Sequence, residues 1–168
     1  MKEPPLPPRE EDRLQALRAL LILDTPPEER FDRLTAFAAQ EFDMPIVLVS
    51  LIDAQRQWFK ARHGLDLCET SRGISFCAHA ILQDEVMVVP DAALDERFAD
   101  NPLVTGEPHI RFYAGAPLKM PSGHNIGTFC VIDRSPRSLD AIDLAVLRSL
   151  RDLAVEELAR RADQEPAA

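Results

Sequence analysis

Between Pro45 and Asp53 the chain runs Ile46-Val47-Leu48-Val49-Ser50-Leu51-Ile52, and no other stretch narrows the possible folds as much. A run this short, rich in branched side chains and bounded by a proline and a turn residue, reads as a buried strand. Asp53-Ala54-Gln55 is turn-like. Gln57-Trp58-Phe59-Lys60-Ala61-Arg62 then returns as the second strand of a hairpin. A sheet is therefore present, and the other segments must be placed around it.

Helical periodicity precedes this run. Leu14, Leu17 and Leu21 recur at helical spacing and predict a first amphipathic helix over Glu10–Leu23. Thr25-Pro26-Pro27-Glu28 predicts a restart, with Thr25 as cap, Pro26 in the first turn and Glu28 completing a capping box. Phe31, Leu34, Ala38 and Phe42 give that second helix one apolar stripe.

After the hairpin, Ser75 is a plausible cap for a short helix through Leu82. Val86–Val89 reads as a strand stopped by Pro90. The stretch from Asp91 to Pro108 is long, acidic and turn-rich, with one short helix expected near Ala92–Glu96; so long a connection inside a domain is usually functional. Two strands, Ile110–Leu118 and Asn125–Asp133, flank the turn Pro121-Ser122-Gly123. Ser138 then caps a last helix, Leu139 to about Arg161. Strands joined by short turns imply a largely antiparallel sheet. With the terminal helices on one face, the class is α+β.

The 168 residues suit one domain with a core of its own. A formal net charge of −9 argues against general binding to nucleic-acid backbones or to an anionic membrane surface. No apolar run approaches the roughly 20 residues that cross a bilayer, and the Pro- and Glu-rich start lacks the core of a signal peptide. Three widely spaced cysteines do not read as a disulfide framework. A cytoplasmic location is expected.

Several segments together resemble GAF domains: Pro45 to Asp53; Gln57-Trp58-Phe59-Lys60; Ser75-Phe76-Cys77-Ala78-His79-Ala80-Ile81; and Val89-Pro90-Asp91-Ala92. Asp95 to Pro102, Ile110 to Leu118 and Ile126 to Asp133 extend the likeness, which covers Leu14 to Leu158. It is best to the bacterial subgroup found ahead of diguanylate cyclase and histidine kinase modules, or standing alone. The resemblance implies a PAS-related fold: a central antiparallel sheet, terminal helices on one face, and a ligand pocket on the other under a middle helix and long loop. It divides the chain into a disordered or extended lead-in (1–12), a GAF domain (13–161) and a C-terminal tail (162–168). Family ligands range from cyclic nucleotides to tetrapyrroles, haem and small metabolites, and many members only dimerise. The Asn-Lys-Phe-Asp-Glu series of cyclic-nucleotide members, the Asp-Ile-Pro and Cys-His signatures of bilin binders, and the cysteine arrangement of free methionine sulfoxide reductases are all missing.

Candidate chemistry is sparse. Cys77 and His79 are two apart, so on a helix they point differently and suit a shared metal poorly; no metal site and no catalytic residue is expected. Cys77 reads as a small buried hydrophobe or as a nucleophile near a helix N-terminus, and His79 as a structural residue or as pocket lining. Arg111 and Tyr113 alternate onto one strand face beside Gly115, which would leave open space. That trio suits an anionic or polar ligand, or else Arg111 pairs with Asp91, Asp95 or Asp100 and pins the loop. Phe98 and Asn101 are candidate lid residues. Trp58 and Lys60 share a strand face, as core or as ligand platform. The candidate pocket is therefore Trp58, Lys60, Phe76, Cys77, His79, Asp91, Phe98, Asn101, Arg111, Tyr113 and Gly115.

The expectation from sequence is a sensory or regulatory domain, not an enzyme, binding an unidentified small molecule. The last helix carries Ile142, Val146, Leu150 and Leu153 on one side and Leu147, Ala154 and Leu158 beside them, which suits burial in its own domain or a homodimer through terminal helices. A separate signalling output protein would receive the signal. Two alternatives stand: a thiol-dependent redox enzyme or sensor using Cys77 with Cys68 or Cys130, and an interaction module whose pocket is filled by its own side chains.

Overall fold

A computed structural model describes residues 1–164. The chain enters through helices α1 (Glu10–Ala19) and α2 (Glu29–Glu41), then strands β1 (Ile46–Ile52), β2 (Arg56–His63) and β3 (Glu69–Ser71). Helix α3 (Phe76–Ala80), strand β4 (Met87–Val89) and the four-residue helix α4 (Pro102–Thr105) lead to the hairpin β5 (Phe112–Lys119) and β6 (Asn125–Asp133), and α5 (Ala141–Gln164) closes the fold. All pairings are antiparallel, and the six strands lie in the order β3-β2-β1-β6-β5-β4. The class is α+β.

Strand alternation separates two cores. On one face, Val47, Val49 and Leu51 of β1, Phe112, Ala114, Ala116 and Leu118 of β5, and Phe129 and Val131 of β6 pack under Leu17, Phe31, Ala38, Leu147, Leu150, Ala154 and Leu158 of the terminal helices. On the other, Ile46, Leu48, Ile52, Tyr113, Cys130 and Ile132 pack under α3 and the long loop. Gly127 allows β6 to approach β1 closely, since a Cβ there would collide with the Ser50 carbonyl.

Helix ends depart from the sequence expectation for local reasons. Helix α1 stops at Ala19 because Leu21 takes a left-handed conformation (φ 52°), which turns Ile22 into the core. The Thr25 hydroxyl bonds the Ile22 carbonyl and caps nothing, and Glu28 precedes α2 with its carboxylate turned to Lys60 and Arg161. The anticipated capping box is therefore absent. A reciprocal cap forms instead at α5: Asp140 accepts from the Asp143 amide at 2.8 Å and Asp143 accepts from the Asp140 amide at 3.2 Å. Asp140, not Ser138, starts that helix.

Segment 1–9 lies against the domain, where the Lys2 amide donates to the Arg97 carbonyl at 3.2 Å. Residues 162–164 of the expected tail belong to α5, and the remainder of that tail lies outside the described residues. Among the described residues no helix is long and apolar enough to cross a membrane.

Candidate functional site

Helix α3 is short, and side chains from the sheet hold its start. Ser75 Oγ accepts from the Ala78 amide at 3.0 Å and donates to Gln57 Oε1 at 2.8 Å. Ser50 donates to the same oxygen at 2.8 Å, and Gln57 Nε2 donates to Thr70 at 3.0 Å. This buried chain of hydroxyls and one amide ties β1, β2, β3 and α3 together, with its donors and acceptors matched.

Cys77 faces the sheet from the first turn of α3. Tyr113 Oη donates to its sulfur at 3.1 Å and Thr128 Oγ1 at 3.0 Å, while Cys130 Sγ lies 3.8 Å away. Burial alone would push the Cys77 thiol up, but its hydrogen bonds with Cys130, Thr128 and Tyr113 outweigh it and bring it down to about 7. Burial, and then the neighbouring Cys77, push the Cys130 thiol well above its ordinary range. The two thiols thus have opposed tendencies, with Cys77 the one favoured to ionise.

Aromatic side chains fill the rest of this face. Phe76 stacks on Phe98 of the long loop with centroids 4.0 Å apart and planes 8° from parallel, and it tilts against Tyr113 at 5.3 Å. His79 meets Phe98 edge-on at 5.0 Å, and its Nε2 lies 3.1 Å from the Lys2 carbonyl oxygen, which requires the Nε2–H form. Burial lowers the pKa of His79, the Lys2 carbonyl opposes this, and the nearby Arg97 adds to the lowering. Arg97 pairs with Asp95 at 2.9 Å and sits 4.9 Å from the Phe98 centroid. What remains is a narrow cavity of ≈ 30 Å³, walled by Leu48, Phe59, Phe76, Ile110 and Tyr113, with Gln57, Thr70 and Cys77 as polar lining and Leu65, Leu67 and Leu103 near its mouth. A buried water needs about 10–15 Å³, so this space takes one or two molecules of that size.

Of the eleven candidates, the structure gathers Phe76, Cys77, His79, Phe98, Tyr113 and Gly115 on this face. Space above Gly115 was expected to be open, but Tyr113 fills it, its ring leaning along the strand to where a Cβ at 115 would stand. Arg111 does pin the loop, though through carbonyls and not an acid, donating to Val104 at 2.9 Å and to Ile110 at 3.0 Å. Asn101 caps α4 and donates to the Ile74 carbonyl at 3.0 Å, and Asp91 accepts from the Ala93 amide at 3.1 Å; each shapes the loop. Trp58 and Lys60 are a correction, because they lie on the opposite face. Trp58 belongs to the helix-side core, and Lys60 Nζ bonds Glu28 at 2.6 Å and the Pro26 carbonyl at 2.7 Å. Ser50, Gln57, Ser75 and Thr128 were missed as site residues. A lone serine inside an apolar strand was the available signal for the first.

The GAF domain model matches residues 26–158. The chain belongs to the GAF domain family. It is 47% identical, over 159 residues, to the protein named cyclic di-GMP phosphodiesterase PA2567 of Pseudomonas aeruginosa. That match takes in 94% of this chain and 27% of the relative, so the chain spans about a quarter of that relative's length. Among solved structures, the GAF domain of an Acinetobacter phosphoenolpyruvate-protein phosphotransferase superposes with a TM-score of 0.67 at 18% identity, covering 97% of this chain and 100% of that one. A type II free methionine-R-sulfoxide reductase from Thermoplasma acidophilum gives 0.64 at 16% identity, covering 78% and 91%. At such identities these two likenesses show the fold. A signalling or sensory role fits the family. The expectation that the chain is not an enzyme is overturned: the 47%-identical relative is named as a phosphodiesterase, and an enzyme is among the proteins that share this GAF fold.

Proposed function

We propose that this chain is a sensory GAF module in cyclic di-GMP turnover, coupled to phosphodiesterase activity of the kind its 47%-identical relative is named for. The observation carrying this reading is the 47% identity running through 94% of the chain. The geometry supports a sensor of something small. Ligand pockets for drug-sized molecules span about 300–1,000 Å³, whereas the cavity of ≈ 30 Å³ under α3 lies far below the needs of a cyclic dinucleotide. Phe76 of the cavity wall stacks on Phe98 of the long loop, which gives a change beneath α3 a direct contact with that loop.

A homodimer through α5 is the output side of the same proposal. Ile142, Val146, Ser149 and Leu153 recur at alternating spacings of four and three, the repeat of a two-stranded coiled-coil seam. Ile142 is 74% exposed and Leu153 46%, with Phe37 of α2 alongside at 53%. A second copy of α5 is the occupant whose periodicity matches.

Deleting the segment that encodes this chain in its host, and quantifying intracellular cyclic di-GMP, tests the proposal. A changed level that the wild-type segment restores is the expected result, and an unaltered level rejects the reading. Hydrolysis of cyclic di-GMP by the purified chain, followed chromatographically, would locate the activity within it or in a coupled protein.

A further inference from the structure

Two thiols 3.8 Å apart, at the inner end of a cavity fit for one or two waters, form an arrangement the sensory reading leaves unused. Cys77 lines the cavity, and Cys130 lies behind it on β6, fully buried. Tyr113 and Thr128 both aim hydroxyl protons at Cys77 Sγ, an arrangement that stabilises negative charge on that sulfur. The third thiol, Cys68, is exposed and receives a hydrogen bond from Arg62 at 2.9 Å on a different part of the surface.

We propose that Cys77 and Cys130 are a peroxide-responsive dithiol, oxidised to a disulfide by hydrogen peroxide that enters through the cavity. The Cys77 thiolate attacks one peroxide oxygen, forming an S–O bond as the O–O bond breaks. The departing hydroxide takes up the proton released by Cys77 and leaves as water. Cys130 Sγ then attacks the sulfenyl sulfur, the S–S bond forms as the S–O bond breaks, and the second hydroxide leaves as water with the Cys130 proton. Two thiols lose two electrons and two protons, and peroxide is reduced to two waters. Cavity size restricts the oxidant: a molecule little larger than water fits, and a bulky hydroperoxide or glutathione does not.

Bond formation would draw the sulfurs together by nearly half their present separation, pulling α3 towards β6. Tyr113 and Thr128 would exchange a thiolate acceptor for the weaker, uncharged sulfur of a disulfide. Phe76, adjacent to Cys77, would shift against Phe98, so the long loop would register the oxidation. This goes beyond the cyclic di-GMP reading and does not depend on it.

The test uses the purified, reduced chain treated with equimolar hydrogen peroxide, denatured under acid, alkylated and mapped by mass spectrometry. Expected is the loss of two hydrogens, a Cys77–Cys130 cross-linked peptide, and alkylation of Cys68 alone. Three alkylatable thiols, or oxidation confined to Cys68, overturns the proposal. Cys130→Ser should halt the reaction at a Cys77 sulfenic acid that dimedone captures. Since that variant could lose its fold, its circular dichroism is recorded and the wild-type map remains decisive by itself. Replacing hydrogen peroxide by tert-butyl hydroperoxide should slow cross-linking at least roughly tenfold; equal rates overturn entry through the cavity.

Discussion

The Tyr113 ring leans forward along β5 over Gly115, and from there its hydroxyl reaches Cys77 Sγ at 3.1 Å. Side chains in strands stand nearly perpendicular to the sheet unless a neighbour leaves room, and the missing side chain at position 115 is what leaves it. Gly115→Ala should therefore displace the ring, weaken the bond to Cys77, and destabilise the domain by about 1–3 kcal/mol, as overpacking does. Urea unfolding reads the stability, and the rate of Cys77 alkylation reads the lost hydroxyl contact. An unchanged midpoint would contradict the packing described.

Phe98 is fully buried between the long loop and α3. Phe98→Ala should cost about 3–5 kcal/mol in equilibrium unfolding, while Phe98→Leu keeps much of the volume and should cost markedly less. The alanine variant should also bind small apolar probes such as xenon, detectable by NMR, beside Phe76. Absence of both effects would show that the loop does not close this face.

Glu10 joins α1 to the end of β1 and to the turn after β3. Arg13 forks across both of its carboxylate oxygens at 2.8 Å and Arg72 adds a second donor to one of them, while the two arginines also bond the Ile52 and Asp53 carbonyls. Burial opposes ionisation, but Arg13 and Arg72 prevail and lower the carboxyl from its ordinary 4.5 to about 2. A depressed carboxyl contributes stability that is complete above its unfolded value and lost as pH falls through the folded one. Between pH 5 and 2 the wild type should lose on the order of 2 kcal/mol more than Glu10→Gln. Parallel acid-unfolding curves for the two proteins would reject this role for Glu10.

If α5 pairs with a second copy as proposed, Ile142→Glu should shift the sedimentation of the chain from dimer to monomer, with melting at concentrations too low for pairing little altered because the side chain is exposed in the single chain. A wild type that stays monomeric at high concentration removes the proposed α5 seam.

Punctuated segments were legible in the sequence. Strands β1 and β6 begin and end at the residues expected, because Pro45 and Asp53 bracket one and the Pro121–Gly123 turn precedes the other. The Ser75 cap was equally readable. Strand β3 was not, since Glu69-Thr70-Ser71 is short and polar and becomes a strand only by pairing with β2. That Trp58 and Lys60 share a face was readable, but which face was not. The register skips Lys60, pairing Val49 with Ala61 and Ser50 with Phe59, so a bulge at Lys60 brings it and Ala61 to the helix side together. The partners of Cys77 were hidden for a related reason: Thr128 and Cys130 look like interior residues of an apolar strand, and only sheet order puts them beneath α3.

The place of β6 beside β1 also governs how the chain is made. β1 and β2 leave the ribosome before β6, and the strand that covers the other side of β1 follows about 70 residues later. At roughly 5–20 residues per second, an unpaired edge of Ile46-Val47-Leu48-Val49-Ser50-Leu51-Ile52 waits for several seconds before Asn125–Asp133 emerges. Such an edge invites pairing with another nascent chain. Synthesis of this domain therefore contains a vulnerable interval whose length is set by the loop and helices between the two central strands.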